Sequence, residues 1–310
     1  MPLAATADLL AAAAAARRGL PAFNVITLEH AEAIAEGAER AGCAAVLQIS
    51  QNAVRYHGGR LLPLARACTE VAAAARVPLS LHLDHVEDLG LLHAAPGAGF
   101  SSAMYDASRL PHDDNVKSTA EAASWAHRHG LHLEAELGRV GGKEGEPPLS
   151  PHAPGARTDP AEAARYVADT GVDALAVAVG SSHAMTARTA ELDHGLIARL
   201  AAAVPVPLVL HGSSGVPDGQ LADGIAAGLV KVNIGTALNT AFTPAVRRHL
   251  AEHAGTTDPR RYLADGREAM AVAVARLAAL VSSSGSRGPP SRGARPGRAG
   301  CGRGAPPGGS

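Results

Sequence analysis

The alternation of short apolar runs with longer amphipathic stretches is the feature that most restricts how this chain can fold. Eight runs rich in valine, leucine and isoleucine are typical of buried strands: 21–25, 44–50, 78–84, 100–106, 131–136, 173–180, 206–211 and 229–234. Stretches of helical periodicity separate or follow them: 29–41, 61–76, 86–95, 115–129, 160–170, 191–203, 217–227 and 237–253. Eight strand–helix units in about 250 residues predict an α/β fold, a (β/α)8 TIM barrel.

A doubly wound parallel sheet is the alternative arrangement of the same elements. It is less favoured because no glycine-rich dinucleotide-binding loop follows the first predicted strand. Within the third helix, Pro96 predicts an early end, since proline has no amide hydrogen to donate. A ninth helical stretch, 259–281, predicts an extra C-terminal helix that packs on the barrel or on a partner subunit.

Composition divides the chain into a barrel domain, 1–281, and a C-terminal tail, 282–310. Twenty of the 29 tail residues are glycine, proline or serine, which predicts a disordered segment. The tail holds five arginines and no acid, so the 28 basic and 29 acidic residues of the whole chain leave 23 and 29 before it, a formal charge of −6. This balance provides no basic field and argues against a nucleic-acid partner.

Cysteine content and hydropathy predict a cytoplasmic protein. Three cysteines in 310 residues (Cys43, Cys68 and Cys301) form neither a disulfide framework nor a CxxC metal motif. The alanine-rich stretch 9–16 follows an acidic residue and precedes two arginines, the reverse of a secretory signal, so it is predicted to be a first helix. No apolar run reaches about 18 residues, which argues against a membrane partner.

Polar residues lie at the end of every predicted strand, where barrels of this type carry their catalytic groups. These residues are Asn24, Ser50, Asp84, Asp106, Glu136, Ser181, His211 and Asn233. A single one has an ordinary explanation as a helix cap or turn residue. A full ring of such groups would be costly to bury in an apolar core, and therefore indicates a functional site.

Three of the 15 histidines, His85, His183 and His211, lie directly at the ends of apolar strands three, six and seven. Three imidazoles with one open position form the arrangement of a catalytic zinc ion. Their spacing matches no short zinc motif, so the prediction of Zn²⁺ depends on their shared position at strand ends. A structural zinc would require a closed fourth ligand, typically cysteine, and no cysteine lies at these ends.

Carboxylates are predicted beside these imidazoles. A period of two places Asp84 on the same strand face as His82, and Glu134 on the same face as Glu136. A carboxylate next to a zinc-bound imidazole can orient the ring or transfer protons, and the sequence leaves both roles open.

Three loops at the predicted mouth of the barrel have functional composition. Glu144 lies beside two glycines in the long linker 137–159, where it is either an acid that closes over a substrate or a solvated loop charge. The loops 212–215 and 233–236 are rich in glycine, which lets backbone N–H groups approach an anion. Such barrels frequently bind phosphate after strands seven and eight, so we expect a phosphorylated substrate.

Six motifs in order resemble the class II, zinc-dependent fructose-bisphosphate aldolase family, and within it the shorter branch that includes tagatose-bisphosphate aldolases. The motifs are HLDH (82–85), MYDAS (104–108), EAELGRVGG (134–142), AVAVG with SSH (176–183), LVLHGSSG (208–215) and KVNIGT (231–236). The resemblance covers about residues 1–281. It implies reversible aldol cleavage of fructose- or tagatose-1,6-bisphosphate to dihydroxyacetone phosphate and glyceraldehyde 3-phosphate by a homodimer or homotetramer.

The resemblance also implies roles for individual residues. Zinc would be bound by His85, His183 and His211, while Asp106 and Glu136 match a second divalent-metal site. Asp84 would exchange a proton with the aldehyde-derived hydroxyl, and Glu144 would remove one from dihydroxyacetone phosphate. Ser50 would contact the aldehyde half. The dihydroxyacetone phosphate half, where the family often uses a monovalent cation, would be held by Ala184, Gly212, Ser213, Ser214, Asn233, Ile234, Gly235 and Thr236.

The sequence departs from the family at a few positions and leaves two other functions open. Ala184 and Ser213 stand where glycine is usual, and the Ala184 methyl group is expected to crowd the phosphate. One alternative is a Schiff-base aldolase that uses Lys231, which shares its strand face with Asn233. The other is a non-catalytic barrel subunit that stabilises a partner aldolase.

Overall fold

The computed structural model describes residues 3–138, 156–182, 185 and 187–283. Eight parallel strands form a closed barrel in chain order, which confirms the predicted fold. The strands are β1 (Leu20–Asn24), β2 (Ala45–Ser50), β3 (Leu79–Val86), β4 (Ser102–Tyr105), β5 (His132–Leu137), β6 (Ala174–Val177), β7 (Leu208–Leu210) and β8 (Leu229–Ile234). Pairing of β1 with β8 closes the barrel, with Ala22 opposite Asn233.

Helices surround the barrel in the predicted order. They are α1 (Thr6–Ala15), α2 (Leu28–Ala41), α3 (Gln51–Tyr56), α4 (Leu61–Ala74), α5 (Leu89–Ala98), α6 (His112–Arg128), α7 (Pro160–Thr170), α8 (His194–Ala203), α9 (Asp218–Ala227), α10 (Thr236–Glu252) and α11 (Pro259–Ser283). The start of α7 shows why the sequence signals worked. Asp159 accepts hydrogen bonds from the first-turn amides, and Pro160 occupies a position whose amide needs no partner.

The predicted early end of the third helix is wrong, because α5 continues through Pro96 to Ala98. Pro96 lies in the last turn of α5, where the loss of one amide donor destabilises the helix only slightly. Termination comes instead from Gly99, which adopts a left-handed conformation (φ 94°) and donates its N–H to the carbonyls of Ala95 and Pro96.

The apolar core lies between the barrel and its helices. Outward-facing strand residues such as Leu47, Leu81 and Leu133 are fully buried in it. At the amino-terminal end of the barrel, Leu10 of α1 packs against Leu20. The outward faces of the strands therefore carry the apolar side chains, and polar strand residues are directed to the barrel interior.

Helix α11 packs against α2 and α10 of its own chain, so the structure places it on the barrel. Val274 and Val281 are buried there, and Val281 accepts a hydrogen bond from Gly19 ahead of β1. The contact with α2 requires Gly37, because a Cβ at that position would lie 2.5 Å from the Cβ of Val274. Among the described helices, none combines the length and apolar character needed to cross a membrane.

Candidate active site

A cavity of about 400 Å³ opens at the carboxyl ends of the strands. Its lining includes predicted site residues from three sides of the barrel: Ser50, Asp84, His85, Gly212, Ser213, Ser214, Asn233, Gly235 and Thr236. Ser50 also accepts a hydrogen bond from the amide of Ala53 and so caps α3. Polar groups that are widely separated in sequence therefore meet in one space at the open end of the barrel.

A β-bulge in β3 directs two consecutive residues into this site. Leu83 pairs with Ala103 and Val86 pairs with Tyr105, so β3 advances three residues while β4 advances two. His85 takes up the extra length with a left-handed backbone (φ 48°), a conformation that β-strand residues rarely adopt. A regular strand would point Asp84 and His85 to opposite faces. The bulge brings both to the cavity.

The strained backbone at His85 predicts an unusual order of stability. In the metal-free protein, we expect His85→Gly to be more stable than His85→Ala by about 1 kcal/mol, because glycine adopts a left-handed conformation without the Cβ clash. Urea denaturation of the two variants measures the difference. The same pair of substitutions at His93, inside α5, is the control and should favour alanine by about 1 kcal/mol. If the alanine variant is the more stable one at both positions, the backbone at His85 is not strained.

His85, which lines the cavity, and His211, which is buried next to it, each contact a carboxylate. His85 Nδ1 lies 2.9 Å from Asp106 Oδ2, while the other Asp106 oxygen accepts hydrogen bonds from Ser108. His211 is fully buried between two acids, with Nε2 3.0 Å from Glu134 Oε1 and Nδ1 2.9 Å from Glu136 Oε2. These contacts fix the orientation of both rings.

The site has the charge and the donor atoms of a divalent-metal site. One donor atom from each of Asp84, His85 and His211 lies within 4.8 Å of the others. Four carboxylates are buried in this region: Asp84, Asp106, Glu134 and Glu136. Among the buried residues that the structure describes, Lys231 is the only lysine or arginine. The buried negative charge therefore exceeds the buried positive charge. Carboxylates and imidazoles are also common metal ligands, so the site fits a bound cation.

The protonation states agree with a metal site. Burial would lower the pKa of His211, but hydrogen bonds to Glu134 and Glu136 raise it to about 9. Burial opposes ionisation of Asp84, yet His85 and His211 hold its pKa below the usual value, so it is an anion at neutral pH. A metal that binds to His211 at neutral pH therefore displaces a proton.

His82 differs from His85 and His211. Burial first, and the charge of Lys231 second, lower its pKa to about 3, so its ring is neutral at physiological pH. Its Nδ1 lies 2.8 Å from Ser102 Oγ and its Nε2 lies 3.5 Å from Lys231 Nζ, below the cavity.

The side of the cavity formed by β7, β8 and α10 has the features of an anion site. Gly212 adopts a left-handed conformation (φ 65°) and leads into the short 3₁₀ turn Ser213–Gly215. Helix α10 begins at Thr236, and its amino terminus is held to this turn by a bond from the Ala237 amide to Ser214 Oγ. Exposed amides at a helix start favour negative charge, which fits a phosphate group.

Some predicted residues lie away from the cavity or outside the described part of the chain. Four predicted residues are buried and are not among the cavity-lining residues: Ile234, and the metal-ligand candidates Asp106, Glu136 and His211. Lys231 points into the barrel interior, as its strand face predicts. Glu144, His183 and Ala184 lie outside the described residues.

Sequence reasoning overlooked four lining residues, and it gave no specific role to Asn24, which it had placed in the ring of strand-end residues. The four are Gln48 of β2, Asn52 and Tyr56 of α3, and Asn239 of α10. Gln48 donates to Asn24 Oδ1 at 2.7 Å and to Asp84 Oδ2 at 3.4 Å. The period of two that places Ser50 at the site also applies to Gln48, so this residue was detectable. The six-residue helix α3 is too short to show an apolar period.

Comparisons with known proteins agree with this geometry. A family model described as fructose-bisphosphate aldolase class-II matches residues 4–286. The structure is similar to that of the YdjI aldolase of Escherichia coli K12 (29% identity, 91% of this chain and 98% of that chain covered, TM-score 0.77). It is also similar to a candidate fructose-1,6-bisphosphate aldolase of Coccidioides immitis (30% identity, 90% and 96% covered, TM-score 0.78). A fructose-bisphosphate aldolase of Campylobacter jejuni shares the fold (21% identity, 92% and 97% covered, TM-score 0.78).

Proposed function

Because the chain belongs to the class II fructose-bisphosphate aldolase family, we propose that it is a zinc-dependent ketose-bisphosphate aldolase. It would reversibly cleave fructose- or tagatose-1,6-bisphosphate to dihydroxyacetone phosphate and glyceraldehyde 3-phosphate. The observation that carries the proposal is the cluster of Asp84, His85 and His211 at the cavity, whose other side has a loop and a helix start that suit an anion.

Zinc would be held by His85 and His211, together with His183, which the family resemblance supplies. When bound, the ion acts as a Lewis acid that stabilises the negative charge developing on the ketose oxygen. Asp106 and Glu136 each contact one of the two described imidazoles. The proposal assigns them in addition to a second divalent ion, in line with the family pattern.

Asp84 would perform the proton transfer at the C4 hydroxyl. It is ionised and 2% exposed, so it can accept the hydroxyl proton during cleavage and return it during condensation. Gln48 donates to its Oδ2 and limits its rotation. The second proton transfer, at dihydroxyacetone phosphate, is assigned to Glu144 by the resemblance.

Substrate binding would divide between the two sides of the cavity. The backbone of Gly212, Ser213 and Ser214 and the start of α10 at Thr236 would bind the phosphate of the dihydroxyacetone half, with a monovalent cation assisting there. Asn233 and Gly235 line the same side. Ser50, on the opposite side, would contact the aldehyde half. Its hydroxyl oxygen caps α3, which leaves its proton available for donation.

The structure argues against Schiff-base chemistry at Lys231. Its Nζ lies 2.7 Å from Glu134 Oε2, the side chain is fully buried, and the residue does not line the cavity. A Schiff-base lysine must reach the substrate carbonyl, whereas this side chain is held in the barrel interior by Glu134.

Chelation tests the proposal directly. We expect cleavage of at least one of the two sugars to be lost after treatment with EDTA and restored by Zn²⁺, in a coupled assay for dihydroxyacetone phosphate. Activity that survives the chelator, together with a Schiff-base adduct that borohydride traps, would favour Lys231 instead. A zinc-loaded protein that cleaves neither sugar would favour the non-catalytic subunit.

A further inference from the structure

An ion pair lies inside the barrel, beneath the cavity, where barrels of this type usually contain branched aliphatic side chains. Lys231 Nζ on β8 lies 2.7 Å from Glu134 Oε2 on β5, and the two side chains are 0% and 2% exposed. Burial of an ion pair is costly, and aliphatic residues of similar volume often stabilise a core equally well. The position of this pair therefore calls for a reason other than stability.

The ion pair belongs to a continuous polar column that connects helix α1 to the candidate metal site. Ser102 Oγ lies 2.8 Å from Thr6 Oγ1 and 2.8 Å from His82 Nδ1. His82 Nε2 lies 3.5 Å from Lys231 Nζ. The ammonium contacts one oxygen of Glu134, and the other oxygen lies 3.0 Å from His211 Nε2.

We propose that Lys231 is a positioning residue for the metal site, which acts by fixing one oxygen of Glu134 so that the other accepts the Nε2–H of His211. A carboxylate only accepts hydrogen bonds, so Nε2 must carry the proton of the imidazole. Nδ1 faces Glu136 Oε2 at 2.9 Å and also carries a proton in the imidazolium form; a metal that displaces this second proton would bind to Nδ1, while the Nε2–H stays hydrogen-bonded to Glu134. This inference rests on the proposed function only in taking His211 to be a metal ligand.

Replacement of Glu134 by glutamine exposes the role of Lys231. The ammonium has only donors, so it attracts the amide oxygen of the glutamine and turns the amide NH2 toward His211. Nε2 must then accept, so the one proton of the imidazole is kept on Nδ1, beside the Glu136 carboxylate, where it blocks metal binding. A wrong imidazole tautomer of this kind is known to disable a catalytic histidine whose geometry is intact.

Removal of the ammonium in the same background reverses this effect. In Glu134→Gln/Lys231→Met, the glutamine is free to rotate and to accept from Nε2–H, so Nδ1 becomes a ligand again. We expect Glu134→Gln to bind Zn²⁺ about 10- to 100-fold more weakly than wild type, which is the usual loss for an outer partner of a metal ligand. The double variant should regain at least about tenfold. Competition with a chromophoric chelator measures these affinities, and Lys117→Met, at an exposed position of α6, is the control.

A second measurement keeps the inference testable if a variant does not fold, as judged by thermal unfolding. Long-range ¹H–¹⁵N spectra of the zinc-loaded wild type should show the His211 proton on Nε2 and the metal on Nδ1. Metal on Nε2, or losses in zinc affinity that add in the double variant, would overturn the inference. If the variants show non-additive zinc affinities but the wild type cleaves no sugar, only the proposed function is refuted. If the losses are additive and the wild type is active, only the role of Lys231 is refuted.

Discussion

Replacement of Asp84 by asparagine is expected to lower kcat for sugar cleavage by about 10²- to 10⁴-fold while the zinc content stays at the wild-type level. Asparagine has the same shape and can still bind Gln48, but it cannot accept the C4 hydroxyl proton. Steady-state assays in both reaction directions, together with metal analysis of the purified variant, measure the two effects. Cleavage and condensation should fall together, because the proposal assigns the proton transfer in both directions to this one group.

Asp88 offers a matched control for this substitution. It lies four residues farther along the chain and caps α5 by accepting the amide of Gly90, a role that asparagine performs equally well. Asp88→Asn should therefore keep both activity and zinc. Loss of zinc in Asp84→Asn would show that Asp84 is a metal ligand, as its distance from the histidines permits, and would contradict its role in proton transfer.

Replacement of His211 by alanine is expected to have the largest combined effect on metal binding and stability. Zinc affinity should fall by more than about 100-fold, beyond the loss caused by removal of an outer partner. Cleavage should become undetectable. The metal-free protein should lose about 3–5 kcal/mol, because the buried carboxylates Glu134 and Glu136 lose the imidazolium that lies between them. Isothermal titration with zinc and urea denaturation measure the two quantities.

His127 is the comparison residue for this loss of stability. It also pairs with a carboxylate, that of Asp173, but its side chain is 46% exposed, so His127→Ala should cost at most about 1 kcal/mol. Equal losses of stability in His211→Ala and His127→Ala would show that burial of the ion pairs of His211 adds nothing to stability. Unchanged zinc affinity in His211→Ala would remove this residue from the metal site and with it the basis of the proposed chemistry.

Local patterns in the sequence were sufficient to predict the barrel. Strand β8, 229–234, and helix α7, 160–170, were predicted at the bounds that the structure shows, because composition and caps define them locally. Errors arose where an element is too short to show a period, or where the position of a residue within a helix changes its effect. Pro96 is tolerated in the last turn of α5, and α3 has too few residues for a periodic signal.

The sequence by itself determined that polar residues stand at the carboxyl ends of eight parallel strands, because the alternation of strand and helix places those ends on one rim. It could not determine that Asp84 and His85 face the same cavity, since consecutive strand residues normally point apart and only the bulge against β4 turns both inward. Closure of the barrel likewise decided the Lys231–Glu134 contact. The two residues are 97 positions apart in the sequence. Their side chains meet only because the closed barrel brings β5 and β8 around one interior.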